Sequence, residues 1–299
     1  MRSRPWVIRS VAIVIICGPA GWLAAAAPSA QAGVASTAVR PAGIRMAAVQ
    51  SAPQVTDSGA ARGSKMGLAA PPMSAGMMSA NIEKQRQARS FMQVIRHMAS
   101  PDGKCTSPAC RRLMPVAKVL AATQQAQIRN YFCGPATVSE MLAQMGKSVS
   151  QPLAARELRT TTSGTDWSNS SGYPVPKVLN RNQNINDYVA VALPWSPTRS
   201  QIRTYEIDLV TDINHGGGAP LAGNAYEVAG GPHLVGHPMN QTIFHWFDIR
   251  GYEASGGVTD YEDSVHGASS IGWSSATPAY SALASSTIVS ILGARGYDW

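Results

Sequence analysis

The chain has 299 residues, room for one large domain or two, and a net charge of +8 from 25 Lys and Arg against 17 Asp and Glu. The basic excess forms no Lys/Arg cluster of the kind nucleic-acid readers carry, which argues against a nucleic-acid partner and leaves an acidic or cell-wall surface compatible. Of the four cysteines, Cys17 lies in the N-terminal apolar run and three remain beyond it.

Arg2, Arg4 and Arg9 precede an apolar run from Val11 to Ala27, and Ala30-Gln31-Ala32 supplies a small-x-small cleavage site. Residues 1–32 therefore read as a secretory signal peptide. The run is interrupted by Gly18, Pro19 and Gly21, against a permanent membrane anchor, and Ile16 before Cys17 argues against a lipoprotein. Cleavage removes three arginines and lowers the net charge from +8 to +5. The expectation is an extracellular product with no stable membrane anchor.

Residues 33–80, rich in Ala, Ser, Gly, Pro and Met and with five charged residues, read as a low-complexity linker or pro-segment. A helical pattern follows over 81–99, with Asn81 as N-cap and Phe91, Val94, Ile95 and Met98 at helical spacing. A folded domain is expected over 100–299. Cys105 and Cys110 are close enough to close a small disulfide loop in an oxidising compartment, which leaves Cys133 as the odd thiol.

Cys133 stands in Gln127-Ile-Arg-Asn-Tyr-Phe-Cys133-Gly134-Pro135-Ala136. Val138, Met141, Leu142 and Met145 then recur with a helical period up to Gly146, a C-terminal cap residue. Pro135 is tolerated only in a first turn, so the thiol sits at a helix mouth, where unpaired N–H groups and the helix dipole favour a thiolate. The competing reading is a small buried hydrophobe. Further on, 152–158 suggests a short helix, 160–176 a long polar loop, and 201–214 a helix with Ile202, Tyr205, Leu209 and Ile213 along one side, ending at Gly216-Gly217-Gly218. Leu283, Ile288, Ile291 and Leu292 suggest a last element packed on the domain.

His245-Trp-Phe-Asp-Ile-Arg-Gly-Tyr252 and Val258-Thr-Asp-Tyr-Glu-Asp263 read as two strands joined by Glu253-Ala-Ser-Gly-Gly257. A turn centred on Ser255 pairs Phe247 with Asp263 and Asp260 with Arg250, and puts His245, Phe247 and Asp263 on one face. The Asp263 carboxylate is then a diagonal neighbour of the His245 ring, and a one-residue slip would reverse the choice. Cys133, His245 and Asp263 can supply nucleophile, base and orienting group. An oxyanion donor is sought next to the nucleophile, with Gln127 as candidate beside the Cys133 N–H and Gln124 and Gln125 as competitors.

These motifs, Gln127 followed five residues later by Cys133-Gly134-Pro135-Ala136, then His245-Trp with Gly251-Tyr252, then Asp263, resemble the peptidase C39-like cysteine peptidases over about residues 120 to 270. The resemblance implies an α+β papain-like fold, a helix carrying the cysteine packed on an antiparallel sheet carrying His245 and Asp263. It also implies Gln127 for the oxyanion hole, Cys133 as nucleophile, His245 as base and Asp263 as orienter. The chain departs from the family in having Ser264 after the aspartate and a long interval between Cys133 and His245.

His233, His237 and His245 suggest a metal cluster, but glycines and Pro238 make a helix there unfavourable and no acidic or cysteine cluster completes it, so neither metal nor organic cofactor is expected. His266 is a lesser base candidate, and His97 and His215 read as ordinary residues. Trp246, Tyr252, Tyr261 and Trp273 read as sheet core. The functional expectation is a secreted cysteine peptidase acting on a peptide or protein substrate through a thioester, the alternative an inactive papain-like module that binds peptides or cell-wall material.

Overall fold

The computed structural model describes residues 73–100, 105–214 and 217–299. The expected signal peptide, residues 33–72 and His215 lie outside them. In chain order the elements are α1 (Ala75–Met98), α2 (Pro108–Leu113), β1 (Lys118–Val119), α3 (Cys133–Gln144), α4 (Gln151–Leu158) and α5 (Pro174–Asn182). There follow β2 (Ala190–Ala192), α6 (Arg199–Asn214), β3 (Leu221–Glu227), β4 (Ile243–Glu253), β5 (Val258–Glu262), β6 (Tyr280–Ala284), α7 (Ser285–Ile291) and β7 (Gly296–Asp298). The class is α+β.

The strands form one antiparallel sheet in the order β2-β7-β3-β4-β5-β6, with β1 also paired to β4. Alternation along β4 divides the core. Trp246 joins a cluster with Cys133, Val138, Met141 and Leu142 of α3, and Phe247 and Ile249 join one with Leu209, Val210 and Ile213 of α6 and Ile288 of α7. Helices thus cover both faces of the sheet. Burying Trp246, Phe247 and Tyr252 contributes about 2–3 kcal/mol each in area bookkeeping.

Helix α3 starts at Cys133 and stops where the glycine predicts. Gly146 has φ 72°, and the N–H groups of Gly146 and Lys147 donate to the carbonyls of Ala143 and Leu142. A residue with a side chain would strain this left-handed position.

Helix α1 departs from expectation. It begins at Ala75, capped by Ser74, whose hydroxyl accepts from Met77 N at 3.2 Å, because the residues between Ser74 and Asn81 lie within helical reach of that cap. Asn81 instead accepts from Trp299 Nε1 at 3.2 Å, and Val94 is exposed while Lys84, Ala88 and Ile95 form the buried stripe. The helix packs on α6, with Lys84 Nζ on Asp212 Oδ2 at 2.8 Å. Cys105 and Cys110 form the expected disulfide, Cα atoms 5.1 Å apart, and Cys133 is unpaired and buried.

In the polar stretch 160–176, Thr161 pairs with Gly164 and Asn169 with Gly172, and α5, which the sequence pattern did not suggest, begins at Pro174. The hairpin register is as expected on the far side of a bulge: Asp248 pairs with Glu262 and Ile249 with Tyr261, but nearer the turn Gly251 pairs with Asp260. Arg250 is the residue passed over, so Asp260 does not face it. The slip follows from β1: a Cβ on Gly251 would lie 2.7 Å from Val119 Cα, so the bulge lets β1 close against a glycine.

Candidate active site

The segment before Cys133 is tied down on both sides. Gln125 N donates to Glu140 Oε1 at 2.7 Å, Ile128 N donates to Gln151 Oε1 at 3.0 Å, and Gln151 Nε2 donates back to the Ala126 carbonyl at 3.0 Å. Gln127 N donates to the Ser264 carbonyl at 2.8 Å, and Gln124 Nε2 donates to the Asp263 carbonyl at 2.9 Å. The entry to the cysteine helix is therefore stitched to the turn that carries Asp263. Gly134 is required here: a Cβ on it would lie 2.4 Å from Thr165 Oγ1. Thr165 in turn accepts at its carbonyl from Trp246 Nε1 at 3.0 Å, so the loop after α4 leans on the helix mouth.

His245 and Asp263 meet as the register predicts, Nε2 to Oδ1 at 3.0 Å. The other ring nitrogen, Nδ1, is buried without a hydrogen-bond partner, and the Cys133 thiol is the neighbour that acts on the ring. Burial pulls the His245 proton affinity down, but the Asp263 carboxylate, by charge and hydrogen bond, and then Cys133 hold it well above the ordinary histidine value. Asp263 is buried too, yet the two histidine rings beside it hold its carboxyl well below the usual range. Cys133 and His245 are 0 % exposed.

Gln127 lies beside this group but is not poised as a donor. Its Oε1 accepts from Ser264 Oγ at 3.2 Å, and its Nε2 donates to the Arg129 carbonyl at 2.9 Å. Gln124 is occupied by the Asp263 and His266 carbonyls. His266 donates from Nδ1 to the Thr277 carbonyl at 2.8 Å, His233 contacts the Gly231 and Gln241 carbonyls, and His97 caps a carbonyl of its own helix.

Two sets of partners were not found by sequence reasoning. His237, which the sequence offered only with His233 and His245 as a metal cluster, bridges two carboxylates, Nδ1 to Glu227 Oε2 at 2.8 Å and Nε2 to Asp263 Oδ2 at 3.0 Å. Burial lowers its proton affinity, but Asp263 and Glu227 raise it to about 9. The second group is Glu140, Asp248 and Glu262, at one buried point where α3, β4 and β5 meet, with Gln144 Nε2 donating to Asp248 and, at 3.0 Å, to Glu262. Burial first, then mutual repulsion, raises Glu140 and Asp248 well above the usual carboxylate range. The available signal was an acid inside an apolar element, Glu227 ending β3 and Asp248 between Phe247 and Ile249, since a buried charge needs a partner.

Among the described residues, His237, His245 and Asp263, and likewise Glu140, Asp248 and Glu262, bring one ligand-type atom each within 4.8 Å of one another. In the first group each ring commits its Nε2 to a different oxygen of Asp263, a hydrogen-bonded chain, and we assign an ion to neither group. No helix of the described residues is long and apolar enough to cross a membrane. In comparisons with protein-family models, curated proteins and solved structures, none matched this chain.

Proposed function

We propose that the chain is an exported cysteine peptidase of the C39-like, papain-like kind, acting on a peptide or protein substrate. The observation that carries the reading is the state of His245: Nε2 is held by Asp263, and Nδ1 is left open beside the thiol that begins α3. A base oriented through one nitrogen and free at the other toward a nucleophile is what thiol catalysis requires.

In this mechanism the Cys133 proton passes to His245 Nδ1 and the sulfur attacks the substrate carbonyl. The imidazolium, stabilised by Asp263, then protonates the departing amine as the thioester forms. Water, deprotonated by His245, attacks the thioester and releases the acid and the thiol. The Cys133 backbone N–H is a candidate oxyanion donor. Gln127 joins it once its amide leaves the Arg129 carbonyl.

The complete burial of Cys133 and the engaged Gln127 amide favour a second reading, an inactive module of the same fold that binds peptides or cell-wall material. The pH dependence of Cys133 alkylation by iodoacetamide, read by mass spectrometry in the wild type and in His245→Ala, separates the two. Burial scales the overall rate, while the shape of the profile reports ionisation. The peptidase predicts reactivity persisting well below the ordinary thiol value of about 8.5 and lost in the variant. An ordinary thiol profile, unchanged in the variant, leaves the binding module.

A further inference from the structure

Behind Cys133, His245 and Asp263 the buried hydrogen-bonded chain continues. Glu227, His237, Asp263 and His245 form an unbroken line of hydrogen bonds at 2.8, 3.0 and 3.0 Å that ends beside Cys133. Asp263 Oδ1 also accepts from Val265 N at 2.9 Å, and Glu227 Oε1 from Leu234 N at 3.0 Å. A carboxylate is an acceptor only, so each ring–carboxylate line needs its own proton. His237 meets a carboxylate at both nitrogens, and both of its lines are filled when the ring is an imidazolium.

We propose that His237 is a positioning residue, a buried cation clamped between Glu227 and Asp263 that fixes the Asp263 carboxylate and shares its charge, and thereby sets the proton affinity of the His245 base. The proposal rests on the thiol-site reading for its functional meaning, but its physical content stands on the histidines alone. The rings of His237 and His245 lie 5.4 Å apart on either side of one carboxylate. In a triad without the second ring, Asp263 would direct its whole charge at His245. Here one of its three carboxylate hydrogen bonds and part of its field go to His237, so the base releases its proton more readily.

The charged or titratable groups around the pair are Glu227 from β3, His245 and Cys133, Asp263 and Tyr261, whose hydroxyl accepts from Val235 N at 2.9 Å, and Glu140 of α3, which feels both Asp263 and His245. Trp273 closes the other side, its ring 4.6 Å from that of His237, and shields the ring from water.

The test is a pH titration of the histidine ring nitrogens by ¹⁵N NMR on the purified chain, for the wild type, His237→Gln and Glu227→Gln. In the wild type the His237 ring is expected to be protonated at both nitrogens at neutral pH and to lose the proton near 9. In His237→Gln the amide still donates to Asp263 but carries no charge, and the His245 titration is expected to move up by about one pH unit. A His237 ring neutral at pH 7 in the wild type, or a His245 titration unmoved in the folded variant, overturns the proposal. If His237→Gln does not fold, Glu227→Gln decides: a His237 proton lost at clearly lower pH supports the clamp, and an unchanged one refutes it. An ordinary alkylation profile of Cys133 would sink the peptidase reading while leaving the His237 titration and the upward shift of His245 in His237→Gln as expected, so the two failures are distinguishable.

Discussion

Lys84→Met tests whether α1 is part of the folded body or a detachable segment in front of it. Lys84 Nζ is buried 2.8 Å from Asp212 Oδ2, lies 4.4 Å over the Trp299 ring, and comes from a helix that the sequence leaves open as either packed on the domain or on the surface of a pro-region. Removing the ammonium leaves Asp212, fully buried, with Asn186 Nδ2 at 2.7 Å as its remaining side-chain donor and Asp208 close by. Leaving one partner of a buried pair costs about 3–5 kcal/mol, a large part of a typical stability of about 5–15 kcal/mol. Urea unfolding at neutral pH is the assay, read as a lower midpoint at unchanged slope. Adding Asp212→Asn to Lys84→Met should recover part of the loss, since the orphaned charge is then gone. A single variant within about 1 kcal/mol of wild type would refute the argument and make α1 a loosely docked helix.

The acidic group behind the site gives a pH prediction. Glu140 and Asp248 bind protons more tightly in the fold than their ordinary values of 4.5 and 3.8, so their contribution is full below those values and lost as pH rises through the raised ones. Thermal unfolding against pH should show that loss, and Glu140→Gln should flatten it. Asp263 acts in the opposite sense: held low, it contributes above its ordinary 3.8 and the contribution is lost as pH falls, so Asp263→Asn should remove an acid-side loss of stability. Gly134→Ala, whose new methyl would overlap Thr165, should cost about 1–3 kcal/mol in a melting experiment and change the Cys133 alkylation rate by displacing the loop at the helix mouth. Cys105→Ser opens a loop closed over a separation of five residues, and by loop entropy should cost about 2 kcal/mol, visible as a drop in Tm.

Local chemistry accounts for what was legible. Pro135 and the period of Val138, Met141, Leu142 and Met145 place Cys133 at a helix mouth because a first turn and an apolar stripe are properties of neighbouring residues. Alternation on either side of Ser255 brings His245 to Asp263 because a hairpin carries its register within one short stretch. The boundary errors are local competitions lost: Ser74 offered a cap before Asn81, and β1 approaching Gly251 shifted the pairing near the turn.

The α+β class, the cysteine helix, the hairpin that joins His245 and Asp263, and the short disulfide were determined by the sequence itself, since each depends on residues a few positions apart. The partnership of His237 with Glu227 and Asp263, the convergence of Glu140, Asp248 and Glu262, and the docking of α1 through Lys84 and Asp212 were decided only by the tertiary structure. Those contacts join residues from separate elements, and their charges become determinate only once packing has removed water and forced each to find a partner or a proton.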